Sequence, residues 1–216
     1  MSIHQSYAVF GLGRYGRSVA KELVRNGADV LAVDRNEAVV NGLSGELPLC
    51  KCADITDPAV FNALDIGGMD VVIIAMAENL EAAVMATMLC KEAGVPQVIV
   101  KCADEMHCRI LSKVGADQVV VPEYESGIRL AKNLLSAGFI DMVDLAENVS
   151  VLHFNVRPEW VGKTLAELNL RKKYSINVVA TEQGGKVSTE IDPTLPLQED
   201  MQLIIIADPA KLKKMK

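Results

Sequence analysis

The stretch Tyr7-Ala-Val-Phe-Gly-Leu-Gly-Arg-Tyr-Gly-Arg-Ser-Val-Ala-Lys-Glu-Leu23 reads as a short apolar strand, a glycine-rich turn and the opening of a helix. In a G-x-G-x-x-G turn the three glycines have separate tasks. Gly11 permits the tight turn out of the strand, Gly13 lets the backbone approach a pyrophosphate, and Gly16 lets the helix pack closely on the strand. Phosphates would then face the helix N-terminus, where unpaired N–H groups and the helix dipole favour anions. The motif alone is weak, so its surroundings carry the case. A second apolar run, 30–33, ends in Asp34, about twenty residues on, where such a motif calls for an acid to hold ribose hydroxyls.

From Tyr7 to about Leu135 short apolar runs alternate with amphipathic helical patterns, the signature of a parallel sheet covered by helices on both faces. Strands are expected at 7–10, 30–33, 47–51, 71–75, 97–101 and 118–121. The first helix should stop near Asn26-Gly27, where glycine suits a left-handed cap. Asp57-Pro58 reads as an N-cap followed by proline in the first turn, and another helix is expected over 79–92. A last helical segment, 124–135, carries Ile128, Ala131, Leu134 and Leu135 at helical spacing. The fold class is therefore α/β, a Rossmann-like doubly wound parallel sheet. After Ser136-Ala-Gly138 the character changes: strand-like segments at 149–156, 176–181 and 202–207, a short helix at 164–168 and a Gly184-Gly185 hairpin turn read as a small α+β unit. The expected organisation is a nucleotide-binding domain over 1–138, a linker over 139–148 and a second lobe over 149–216. The closing Lys211, Lys213, Lys214 and Lys216 read as a solvated face or frayed tail.

Composition narrows the function. Half of the 216 residues are hydrophobic, enough for a real core, while 4% aromatic content and a net charge of −6 leave neither the basic field nor the stacking platforms of a nucleic-acid binder. The opening Met1-Ser-Ile-His-Gln lacks a basic region followed by an apolar one, so no signal peptide is expected, and no run is long enough to span a membrane. The odd set of five cysteines (Cys50, Cys52, Cys90, Cys102, Cys108) falls in or beside apolar segments, as reduced cytosolic thiols do. Cys50 with Cys52, and Cys102 with His107 and Cys108, lack the C-x-x-C or H-x-x-x-H spacing of a metal site.

In a sheet of this type ligand groups come from the loops at the carboxyl ends of the strands. In order these ends supply Gly11, Gly13, Arg14, Tyr15 and Gly16; Asp34, Arg35 and Asn36; Ala53, Asp54 and Thr56; Ala75, Met76, Ala77 and Asn79; Lys101; and Glu123. Arg14 and Lys101 suit phosphate charge, and Asp54 suits an adenine amino group. Asp34 argues against a ribose 2'-phosphate, since two anions would meet. Glu123 has two readings: a divalent cation such as magnesium or calcium shared between its carboxylate and a terminal phosphate, or a charge complementing the dipole of the helix that begins there.

Several of these stretches together resemble the RCK family, the regulatory subunits of Trk and Ktr potassium transport. They are Gly11 to Gly16, Ala32-Val-Asp-Arg-Asn36, Ala53-Asp-Ile-Thr56, Gly94-Val-Pro, Gly115-Ala-Asp117 and Val121-Pro-Glu-Tyr-Glu-Ser-Gly127. The segment Arg157 to Arg171, with Ile176-Asn-Val-Val-Ala180 and the strand over 203–206, is similar to the RCK C-terminal lobe. Trk-type subunits are similar to two such copies in tandem, so one copy looks closer to the Ktr type. The resemblance implies ATP and ADP as ligands, NAD or NADH being the alternative, with Arg14 reaching the terminal phosphate, in its own subunit or across a dimer, and Glu123 holding a cation. It implies homodimers joined through the 124–135 helix, assembled into a homo-octameric ring on the cytoplasmic face of a separate potassium-conducting membrane subunit. It also implies a cytoplasmic, peripheral location and a cyclic-dinucleotide site in the C-lobe region of Arg171, Ile176 and Asn177. One departure is Ala53-Asp54 where the family commonly has Gly-Asp. The competing class is an NAD-dependent oxidoreductase, which the same fingerprint would serve. Against it stand a second domain of about seventy residues and three histidines (His4, His107, His153) that show no arrangement with an acid for proton transfer.

Overall fold

The computed structural model describes residues 5–135, 139–146 and 148–208, and the chain divides into two compact units between Pro122 and Glu123. The lysine-rich tail and His4 lie outside the described residues.

In the first unit, strands β1 (Ser6–Phe10), β2 (Asp29–Asp34), β3 (Leu49–Cys52), β4 (Val71–Ile74), β5 (Gln97–Lys101) and β6 (Gln118–Val120) form one sheet in the order β3-β2-β1-β4-β5-β6. Every pairing is parallel. Helices α1 (Arg14–Arg25), α2 (Glu37–Leu43), α3 (Pro58–Ala63), α4 (Leu80–Glu92) and α5 (Glu105–Val114) connect them. The strands read as continuous apolar runs because both faces are covered. The pleat sends Ala8 and Phe10 into one core with Val72, Ile74, Ala83, Ala86 and Leu111, and Val9 into the other with Ala20, Ala32, Leu43 and Ile73. Helices α1 and α2 thus line one face and α3, α4 and α5 the other. Strand order reverses between β1 and β4, which opens a crevice at their carboxyl ends.

Local chemistry sets the helix ends. Asn36, Asp57, Asn79 and Asp104 each accept a backbone N–H from the first turn of α2, α3, α4 and α5. Gly27 and Gly94, at φ +82° and +81°, follow the ends of α1 and α4. The helix α6 (Pro122–Leu135) begins at the division between the units, with Glu123 and Glu125 in its first turn. Tyr124, Leu130 and Leu134 on it are exposed.

The second unit contains β7 (Phe139–Ala146), β8 (Val149–Asn155), α7 (Leu165–Leu168), α8 (Leu170–Tyr174), β9 (Asn177–Gln183), β10 (Lys186–Ser188) and β11 (Gln202–Ala207). Its antiparallel sheet runs β10-β9-β11-β8-β7. Alternate residues Leu152 and Phe154 of β8 and Leu203 and Ile205 of β11 fill the core with Ile176 and Trp160, whose ring meets Phe154 edge-on at 5.9 Å. A reciprocal Thr164–Glu167 capping box starts α7.

One expectation needs correction. Residues 139–146, read as linker, form β7, a full strand of the second sheet. Its two acids, Asp141 and Asp144, lie three residues apart, so the segment lacks the period-two alternation that marks a half-buried strand, and the register shifts twice along its pairing with β8. Helix α8 also went unread, because Leu170 and Tyr174 alone mark its apolar side. Since Leu203 is wholly buried between β8 and β9, Leu203→Ala should lower the unfolding free energy of the second unit by about 2–5 kcal/mol in chemical denaturation.

Candidate functional site

The site is built around two close approaches. Gly11 leaves β1 at φ +85°, its N–H donating to the Val33 carbonyl at 2.9 Å, and a Cβ there would meet Met76 Cγ at 2.8 Å. Gly16 is tighter still: a Cβ would lie 1.9 Å from the Gly11 carbonyl oxygen. At Gly13 a Cβ would meet nothing within 4 Å. The first and third glycines are therefore demanded by packing, and the second faces open space.

Asp34 ties β2 to this loop. Its Oδ2 accepts from the Leu12 N–H at 2.6 Å and its Oδ1 from the Asn36 N–H at 2.8 Å. Each carboxylate oxygen retains a lone pair for a ribose hydroxyl. The Ala53 N–H donates to the Asp34 carbonyl at 3.0 Å, which brings the end of β3 alongside. Ala53 does not take a positive φ, so alanine stands in place of the family's usual glycine without strain. Asp54 is exposed and accepts from the Thr56 hydroxyl at 2.7 Å and the Thr56 N–H at 3.0 Å; these donors, the hydroxyl foremost, hold its carboxyl below the ordinary range. Arg35 is exposed beside it and lowers it further.

At the switch point the Ala75 N–H donates to the Phe10 carbonyl at 2.7 Å, and Met76 accepts from the Asn79 N–H at 3.0 Å. Ala77 is half-buried in the same loop. Lys101, the last residue of β5, holds its ammonium 5.7 Å from the centroid of the Tyr15 ring, so its charge reaches the loop. Arg14 is exposed at the first position of α1. Asn36 and Asn79 spend their side-chain oxygens on capping the Ala38 and Ala82 N–H groups, a structural duty. Glu123 belongs to the second unit and to the first turn of α6, where an acid complements the helix dipole. Among the described residues no three histidine, cysteine or acidic side chains gather to hold a metal. In the C-terminal lobe Arg171 and Asn177 are exposed, whereas Ile176 is a core residue at 1% exposure.

The sequence reading passed over Arg17. Its Nε and Nη2 both donate to the Leu12 carbonyl at 3.3 Å. An arginine on the first turn of the loop's helix, within reach of the carbonyl five residues back, is the signal that could have found it.

Residues 7–122 match the TrkA-N domain family and residues 154–216 the TrkA-C domain family. The chain is 35% identical over 202 residues to Ktr system potassium uptake protein C of Bacillus subtilis, covering 94% of this chain and 91% of that protein. It is 34% identical over 208 residues to Ktr system potassium uptake protein A of Vibrio alginolyticus, covering 96% and 94%. Among solved structures the GsuK channel superposes with a TM-score of 0.71 at 17% identity, over 99% of this chain and 39% of that one, which shows the fold. A Rossmann-like parallel sheet with a glycine-rich loop after its first strand is joined in this chain to a small antiparallel lobe. The chain belongs to the family of RCK-type regulatory subunits of Ktr and Trk potassium uptake systems.

Two predictions test this geometry. Gly16→Ala should push α1 off the Gly11 carbonyl, costing about 1–3 kcal/mol in denaturation, and should abolish nucleotide binding in calorimetric titration. Thr56→Val should raise the Asp54 pKa toward its ordinary value, read by NMR titration of the carboxyl carbon.

Proposed function

We propose that the chain is a non-enzymatic, nucleotide-sensing gate subunit, in which ATP and ADP bind the Gly11–Gly16 loop and favour different shapes of a ring that controls a potassium-conducting membrane subunit. The observation that carries this reading is the Asp34 carboxylate placed against the Leu12 N–H, at the mouth of a loop whose second glycine opens on free space. That arrangement supports a ribose held by Asp34 beside phosphates held by the loop. Arg14 and Lys101 supply positive charge to the phosphates, Asp54 faces the adenine end, and Glu123 holds a magnesium or calcium ion at the terminal phosphate.

Homodimers form through α6, and the exposed Tyr124, Leu130 and Leu134 on it are the side chains such a contact would cover. Dimers assemble into a homo-octameric ring at the cytoplasmic face of the membrane. Its attachment there is through the membrane subunit; no described helix is long and apolar enough to cross a membrane. The C-terminal lobe is the place for a second ligand, a cyclic dinucleotide near Arg171 and Asn177. Gating follows from differential affinity, since a nucleotide moves an equilibrium between ring shapes only by as much as it binds one shape more tightly.

NAD or NADH in place of the adenine mononucleotides is the second reading. Asp34 suits the ribose of either, and a structure of similar fold is titled "GsuK channel bound to NAD". Titration of the purified chain with ATP, ADP, NAD and NADH separates the two: tighter binding of ATP and ADP is expected, and tighter binding of NADH would overturn the ligand assignment. Glu123→Gln should abolish any enhancement of ATP binding by divalent cations while leaving metal-free binding intact.

A further inference from the structure

The glycine loop owes its orientation to contacts outside the glycine motif. The Leu12 residue is held from both sides: its N–H donates to Asp34 Oδ2 at 2.6 Å, and its carbonyl accepts from Arg17 Nε and Nη2, each at 3.3 Å. The carbonyl belongs to the Leu12–Gly13 peptide. In a trans peptide the C=O and N–H point in opposite directions, and none of the described peptides is cis. Pinning the Leu12 oxygen toward Arg17 therefore turns the Gly13 N–H away from Arg17. Among the described residues this N–H meets no acceptor, and Gly13 is the loop glycine with open space around it.

The same contact removes a repulsion. A carbonyl oxygen is the one backbone group of a phosphate loop that disfavours an anion. Two charge-assisted donors offset its dipole and keep it turned toward the guanidinium. A planar guanidinium can set two N–H groups on one oxygen from a fixed direction, whereas a lysine ammonium acts as a single flexible point charge.

We propose that Arg17 is a positioning residue for nucleotide phosphates, acting through the Leu12–Gly13 peptide and without contacting the ligand, with Asp34 as the opposing hold that couples the ribose position to the loop. This rests on the reading of the loop as a nucleotide site. Asp34 thereby has two tasks at once, and loss of Arg17 isolates the loop-orienting one.

The test uses the full chain with Arg17→Ala and Arg17→Lys, reading ATP affinity by calorimetry and, without nucleotide, hydrogen exchange at the Leu12 amide. Arg17→Ala should weaken ATP binding about tenfold and speed Leu12 exchange about as much, the loss of two hydrogen bonds to a charged group. Arg17→Lys should stay within about threefold of the alanine variant, because charge without the fork does not fix the peptide. Unchanged ATP affinity in Arg17→Ala would overturn the proposal, as would full recovery in Arg17→Lys, which would reduce Arg17 to a source of charge. If the unaltered chain binds no nucleotide, the ligand reading fails by itself. Leu12 exchange then decides the hold alone: faster exchange in Arg17→Ala supports it, and unchanged exchange overturns it.

Discussion

Helix α1 lies so close to the end of β1 that the Gly11 carbonyl oxygen fills the volume a Cβ at residue 16 would occupy. From this approach the rest of the site follows. It brings the helix N-terminus to the carboxyl end of the central strand β1 and leaves Gly13 exposed at the crest of the turn. It also sets Tyr15 within reach of the Lys101 ammonium. A hydrogen bond from the Leu12 N–H to Asp34 and two from Arg17 to the Leu12 carbonyl then fix the turn. Packing creates the place for an anion, and polar contacts decide which backbone groups face it.

A regulatory role asks more of such a site than affinity. Shifting a two-state equilibrium from one form to the other takes a difference in affinity of several kcal/mol between the two shapes. In this unit the groups expected to meet the nucleotide come from five strand ends of one sheet, which packing holds as a body. The antiparallel lobe has its own core, centred on Leu203, Ile205 and Phe154.

Much of the first unit was legible in the chain because parallel strands buried on both faces spell continuous apolar runs, and because Asp57-Pro58 and Asn26-Gly27 are punctuation with a mechanism. The glycines of the loop could be read with their tasks, and Asp34 by its distance from them. The capping duties of Asn36 and Asn79 were not legible as such, since an asparagine after a strand suits a ligand and a helix cap equally well. Strand β7 escaped because its acids, Asp141 and Asp144, fall three residues apart and break the period-two pattern of a strand. Arg17 escaped because its partner is a backbone carbonyl, and no residue type marks a peptide that needs holding. The RCK resemblance supplied what spacing could not, including the family and its potassium-transport context.

Small-angle scattering of the purified assembly, saturated first with ATP and then with ADP, tests the central claim that loop-bound phosphates set quaternary shape. The account predicts two distinct profiles that interconvert on nucleotide exchange, with the difference lost in Gly16→Ala. Identical profiles under demonstrated saturation by both nucleotides would contradict it.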